Sequence, residues 1–228
     1  AQDAPLWMRH SVISPDGTTI AFTYKGDIYT VPVAGGRAMQ ITTNPAYDTA
    51  PVWSPDNKRI AFASDRMGSL DVYIVAKDGG EPRRLTTHSG SETPLAFTDA
   101  GHVLFSAGIM PSAEAVVFPS NGQFNQVYRV SVEGGRPTMI SSMPMECISI
   151  NKEGAMLYQD KKGYEDYWRK HHVSPIARDI WMYTPGKEPQ YRQLTTFGGE
   201  DREPVWAPDG KTFYYLSEEN GSFNIYRR

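Results

Sequence analysis

The stretch Ser54-Pro55-Asp56-Asn57, followed by Ile60-Ala61-Phe62, Asp71-Val72-Tyr73, Gly79-Gly80 and Arg84-Leu85-Thr86, decides the fold. Each piece has a separate physical reason to be where it is. Pro presets φ and Asp bonds back to the main chain, so Ser-Pro-Asp-Asn is a turn. The runs Ile-Ala-Phe and Asp-Val-Tyr are built from residues that suit a pleated, half-buried surface. Gly-Gly supplies positive φ for a second tight turn, and Leu-Thr closes the unit as a further strand.

The same order returns four more times, about every 40 to 56 residues. The opening turn recurs as Ser14-Pro15-Asp16-Gly17, Thr98-Asp99-Ala100-Gly101, Lys152-Glu153-Gly154 and Ala207-Pro208-Asp209-Gly210. The second strand recurs as Ile20-Ala21-Phe22, Val103-Leu104-Phe105, Met156-Leu157-Tyr158 and Phe213-Tyr214-Tyr215. The third recurs as Asp27-Ile28-Tyr29, Gln126-Val127-Tyr128, Asp179-Ile180-Trp181 and Asn224-Ile225-Tyr226, and the closing strand as Gln40-Ile41-Thr42, Met139-Ile140-Ser141 and Gln193-Leu194-Thr195. Short antiparallel strands in fours, with no helical-period segment between them, predict an all-β chain of β-propeller blades. A blade has two apolar faces, so neighbours stack and the core is the set of layers between them. Tyr29, Tyr73, Tyr128, Trp181 and Tyr226 are the expected filling.

The repeats run over about 5–46, 47–90, 91–144, 145–199 and 200–228, read as one propeller domain over 1–228. The fifth stops after its third strand, which leaves an edge that propellers normally pair. The expectation is a domain incomplete at its C-terminal end and part of a six-bladed ring. Repeats 3 and 4 carry insertions, Ile109 to Gln123 and Lys161 to Arg178, and long loops on a rigid scaffold are where binding concentrates.

Composition sets the outer bounds. Of 228 residues, 39% are apolar, enough for a core, and 23 Lys plus Arg against 26 Asp plus Glu give a net charge of −3. That balance argues against nucleic acid as a partner. No apolar run nears the roughly 18 to 20 residues of a bilayer span, so membrane insertion is not expected. Cys147 is the sole cysteine, which excludes an intrachain disulfide and a Cys-rich zinc site; its alternating surroundings read as a buried structural thiol. The small, polar start Ala1-Gln2-Asp3-Ala4-Pro5 reads as a mature chain after leader removal, with export to a periplasm expected.

The sequence holds no Gly-x-Ser-x-Gly elbow, no His-Glu-x-x-His, no phosphate loop and no dinucleotide fingerprint, so no catalytic residue, metal or cofactor is assigned. Two groups are binding candidates. In the repeat 4 insertion, Trp168 and Arg169 suit gripping a peptide or its carboxylate, and His171 and His172 with Glu165 and Asp166 suit a metal less well, because adjacent side chains diverge in extended backbone. The competing reading is a loop packed on its own blade with Trp168 as plug. The second group lies at the starts of the first strands, which line a propeller's channel: Arg9, His10, Asp48, Glu92, Glu146, Arg202 and Glu203. They suit extended peptides, or else form a solvated rim of mixed charge.

The Ser-Pro-Asp-Gly turn, the Ile-Ala-Phe and Asp-Ile-Tyr strands and the Leu-Thr close resemble TolB-type repeats, shared with prolyl-oligopeptidase-type peptidases. Tyr164-Glu165-Asp166-Tyr167-Trp168-Arg169-Lys170-His171-His172, with Arg178-Asp179-Ile180-Trp181, is similar to the first propeller of bacterial tricorn-like serine peptidases. That resemblance implies a six-bladed propeller followed by a second propeller, a PDZ-like domain and a separate catalytic module. It implies a noncatalytic role for this segment, guiding or gating peptide or protein substrates toward further domains of the same polypeptide. The alternative is a stand-alone TolB-like protein-binding scaffold of the cell envelope.

Overall fold

The computed structural model describes residues 7–108, 125–163 and 173–228. These form nineteen strands in five sheets, with no helix among the described residues. The first sheet is the meander β1 (Arg9–Ile13), β2 (Thr19–Tyr24), β3 (Asp27–Pro32) and β4 (Met39–Gln40). The second is β5 (Asp48–Trp53), β6 (Arg59–Ser64), β7 (Asp71–Ala76) and β8 (Arg83–Arg84), and the third β9 (Glu92–Asp99), β10 (His102–Ala107), β11 (Gln126–Ser131) and β12 (Thr138–Ser141). The fourth holds β13 (Met145–Ile150), β14 (Met156–Asp160), β15 (Ile180–Thr184) and β16 (Gln190–Gln193). The fifth has three strands among the described residues, β17 (Asp201–Trp206), β18 (Phe213–Ser217) and β19 (Asn224–Arg227). These are the blades of a β-propeller, each inside one sequence repeat. The chain divides into two compact units, one carrying the first three blades and one running from Ser141 to Arg228.

The opening turns form for local reasons. Ser54 donates to Asp56 at 2.5 Å, Asp56 accepts the Lys58 N–H at 3.1 Å, and Ser54 Oγ accepts the Arg59 N–H at 2.9 Å. Ser14 and Asp16 repeat the pattern at 2.6 and 3.0 Å, with Thr19 N–H on Ser14 Oγ at 3.0 Å. Asp209 does the same for Lys211 and Thr212, and these backbone donors hold its carboxyl down to about 2.

Packing follows the two-residue period of a strand covered on both faces. From the second blade, Ile60, Phe62, Tyr73 and Val75 pack with Ala21, Ile28 and Ile41 of the first, while Ala61, Val72 and Ile74 pack with Phe97, Val103, Phe105 and Tyr128 of the third. In the second unit Leu157 and Ile180 meet Phe213, with Trp206 and Tyr215 against them. A repeated interblade bond accompanies two of these layers: the Trp53 indole donates to Val12 O at 3.3 Å, and that of Trp206 to Ala155 O at 3.2 Å.

The core filling differs from expectation in one respect. In the Asp-Ile-Tyr strands the aliphatic residue is the deeper one. Ile28, Val72 and Ile180 are 0% exposed and Val127 1%, whereas Tyr29, Trp181 and Tyr226 are only half-buried. Alternation puts the aliphatic side chain against the next blade and the aromatic on the opposite face. There the aromatic stacks on its cross-strand partner: Phe22 on Tyr29 at 5.9 Å, Phe62 on Tyr73 at 6.0 Å, Phe105 on Tyr128 at 5.7 Å. Ile225 in β19, with no further strand or blade beside it among the described residues, is 75% exposed.

Candidate functional site

Within each unit the first strands of successive blades lie side by side, β1 by β5 by β9 in one and β13 by β17 in the other. Four of the five first strands carry a bulge with a left-handed, non-glycine residue: His10, Ala50, Cys147 and Glu203, at φ 50 to 54°. The bulge twists the strand start and re-aims the side chains around it. Most of the sequence-derived candidates sit on this feature.

The acids at the strand starts turn inward. Asp48, Glu92 and Asp201 occupy equivalent places, since their N–H groups donate to Gly26 O, Leu70 O and Arg178 O of the preceding blade at 2.7, 2.7 and 3.0 Å. All three are buried, so the solvated-rim reading does not apply to them. Asp48 accepts both bonds of a fork from Arg66 Nη2, at 3.1 and 3.0 Å, and the Arg66 guanidinium lies 4.5 Å from the Tyr73 ring centre. Glu92 accepts Thr86 Oγ1 at 3.0 Å and lies near Asp71, which pairs with Arg84 at 2.8 Å. His88 Nδ1 stands 3.4 Å from Glu92, but it accepts the Gly90 N–H at 3.0 Å and so presents no proton there. Burial and the Asp71 charge push Glu92 up to about 8, and a proton on it supplies a donor between its carboxyl and that of Asp71. Asp201 is also raised, by burial, against hydrogen bonds from Ser217 and Thr195.

Arg9 and His10 open β1. Arg9 is exposed and lies over the Trp7 indole at 5.5 Å, while His10 Nδ1 meets Thr49 Oγ1 of the second blade at 3.0 Å. Burial and the Arg9 charge lower the His10 pKa. In the second unit Glu146 is gathered by Gln159 Nε2 at 3.1 Å, Lys161 at 3.1 Å and Arg178 at 3.5 Å. Desolvation opposes its ionisation, but these three groups together hold its carboxyl below the usual range. Arg202 is buried with its guanidinium 3.9 Å from the Phe223 ring centre, and the Glu203 N–H donates to Gln159 Oε1 at 2.9 Å. Cys147 is a correction: its place on the bulge leaves its side chain exposed. The protein around that side chain, with Glu203 and Glu146, still pushes the thiol up to about 12, which favours its protonated form. Trp168, Arg169, His171 and His172 lie outside the described residues.

Sequence reasoning missed the partners that fix these groups. Thr42, Thr86 and Thr195 end their blades by accepting the N–H of Ile28, Val72 and Ile180 at 3.0, 2.9 and 2.9 Å. Arg178, buried, holds Glu200 at 2.9 Å as well as Glu146, and Lys162 binds Asp179 at 2.5 Å. The recurring Thr of the Leu-Thr close was the one visible signal. Among the described residues no group of three or more His, Cys, Asp or Glu is placed to hold a metal, and no helix is long and apolar enough to cross a membrane. What remains is a set of blade-start networks that lock strands in place, and open ground around Arg9.

A family described as the tricorn protease N-terminal beta propeller domain matches residues 5–228. The chain belongs to that family. This tricorn-type propeller is 25% identical over 224 residues to tricorn protease homolog 1 of Streptomyces coelicolor, covering 98% of this chain and 20% of that protein. It is 22% identical to the tricorn protease homolog of Saccharolobus solfataricus, covering 96% and 20%. The chain thus spans about a fifth of the length of these relatives. In fold it is similar to tricorn protease, with TM-score 0.75, 18% identity and coverage of 98% of this chain and 21% of that one. It is likewise similar to a TolB from Agrobacterium tumefaciens, with TM-score 0.72, 17% identity and coverage of 98% and 76%.

Proposed function

We propose that this chain is the noncatalytic propeller of an exported tricorn-like serine peptidase, and that it guides or gates peptide substrates toward a catalytic module elsewhere in the same polypeptide. The observation that carries the reading is the family match along nearly the whole chain, joined to a length about a fifth of the relatives' own. The chemistry of the blade starts agrees with it. Asp48, Glu146 and Glu200 are engaged by Arg66, Lys161 and Arg178, and the sole thiol stays protonated, so these groups build a scaffold and supply no nucleophile.

The test uses the whole protein. Substitution of Trp168 and Arg169 by Ala should leave kcat/KM for a chromogenic tripeptide within about twofold and lower it about tenfold for a substrate of fifteen residues or more, since remote contacts act only on substrates long enough to reach them. Equal loss on both substrates, or on neither, would count against guiding. Cell fractionation tests the exported location. A second reading, a stand-alone TolB-like scaffold binding envelope proteins, is favoured by the similarity to the A. tumefaciens TolB, of which the matched part is 76%. Absence of peptidase activity in the whole protein, with stable capture of a defined envelope partner by the propeller, would select it.

A further inference from the structure

The start of β1 opens onto a cavity of about 410 Å³ in the first unit, whose charged lining side chains are both cations. Arg9 and Lys25 face it, Trp7 and Tyr47 form aromatic walls, and Gly26 with Pro45 and Ala46 completes the sides. Trp7 and Tyr47 are both exposed, as sequence-equivalent residues leading into the first strands of their blades. The two cations are held by rings and not by acids: Arg9 lies over Trp7 at 5.5 Å and Lys25 over Tyr24 at 5.4 Å. Among the described residues neither has a carboxylate partner.

The acids close by are already taken. Asp27 accepts from Gln40 at 3.0 Å and Thr42 at 3.4 Å, Asp65 accepts the Tyr47 N–H at 2.8 Å, and Asp48 is forked by Arg66. Thr23 is a second, independent pointer. It is the cross-strand partner of Arg9, contributes to the cavity wall, is 3% exposed, and its Oγ1 has no hydrogen-bond partner. A buried hydroxyl without a partner is uncommon, and rotation about its Cα–Cβ bond turns it toward an acceptor in the cavity.

Lys25 sits where a stability-driven choice would differ. Lys25 and Gly26, at φ 52 and 88°, join Tyr24 to Asp27 in a two-residue hairpin with positive φ at both central positions. Asn or Asp is preferred at the first of these, and Lys there gives up stability for a cation at the cavity rim.

We infer that this cavity binds a peptide carboxylate next to an aromatic or large apolar side chain, the oxyanion between Arg9 and Lys25 and the side chain against Trp7 and Tyr47. The inference rests on the peptide-guiding role and gives it a recognition chemistry. The carboxylate comes from an acidic side chain or from a chain terminus, and the site chemistry is the same for both.

The test is 19F NMR of the whole protein labelled with 5-fluorotryptophan, the Trp7 line assigned by W7F. Three peptides are titrated: acetyl-Ala-Glu-Phe-amide, acetyl-Ala-Ala-Phe with a free C-terminus, and neutral acetyl-Ala-Gln-Phe-amide. At least one carboxylate peptide should move the Trp7 line and bind about tenfold or more tightly than the neutral one. Which of the two does so identifies the carboxylate source. K25N, which suits the turn better than Lys, and R9Q should each reduce that preference at least threefold, T23V should weaken it less, and 0.5 M salt should largely abolish it. Equal binding of all three peptides, or a preference that survives R9Q and K25N together, overturns the inference. Peptide-induced shifts of other tryptophan lines with Trp7 unmoved overturn it while leaving peptide guiding standing; no shift of any line counts against both.

Discussion

Asp48 and Glu92 stand at the same place in successive blades, each with its N–H on the preceding blade and its carboxyl buried, yet the two junctions solve the buried charge differently. Asp48 has a forked arginine from its own blade, stacked on Tyr73. Glu92 has Thr86 and faces Asp71, whose own cation, Arg84, is committed to it, so the proton stays on Glu92. The two junctions thus share a buried acid and its N–H bond to the preceding blade, while the means of neutralising that acid is decided by which neighbours each blade supplies.

Breaking the first junction should have the largest effect. Replacing Arg66 with Met leaves Asp48 buried without its cation and should cost about 3–5 kcal/mol in guanidinium unfolding at pH 7. A loss under about 1 kcal/mol would mean that Asp48 finds another partner.

The second junction is sharpened by pH. Glu92 binds its proton more tightly folded than unfolded, so the folded state holds more protons between the two pKa values. The stability it confers is complete below about 4.5 and is lost as pH rises toward about 8. E92Q keeps the shape and a donor without titrating, so wild type should lose about 4 kcal/mol relative to E92Q between pH 5 and 9. Parallel curves would refute the protonated junction. Arg84, Asp71 and His88 are the charged or titratable groups facing it, and Asp201, also raised, adds a smaller fall of the same sign that E92Q leaves in place.

T86V removes both the acceptor for the Val72 N–H and the donor to Glu92, and should cost about 1.5 kcal/mol. T42V, whose bond to Asp27 is longer at 3.4 Å, should cost less in the same unfolding experiment. The smallest effect is at the hairpin of the first blade: K25N should raise stability by about 0.5 kcal/mol, because Asn tolerates positive φ better than Lys.

The blades were legible because their turns are local. Ser54, Asp56 and the N–H groups of Lys58 and Arg59 satisfy one another within a few residues, so the motif declares the turn. The depth of Ile28 relative to Tyr29 was not legible, because a strand buried on both faces gives a period of two without saying which face is dry. The Asp48–Arg66 fork was missed because nothing in composition pairs residues across a hairpin, and Thr86 was visible as a repeated letter whose two hydrogen bonds were not.

From the sequence alone came the repeat, the all-β class, the order of strands within a blade and the kinship with tricorn-type propellers, since these depend on turn chemistry and alternation between near neighbours. Only the tertiary structure decided which charges are buried, which acid keeps its proton and that Trp7, Arg9, Thr23, Lys25 and Tyr47 share one cavity. Those outcomes depend on desolvation and on groups brought together from different strands and blades, and the electrostatic energy of a side chain is fixed by what surrounds it in space.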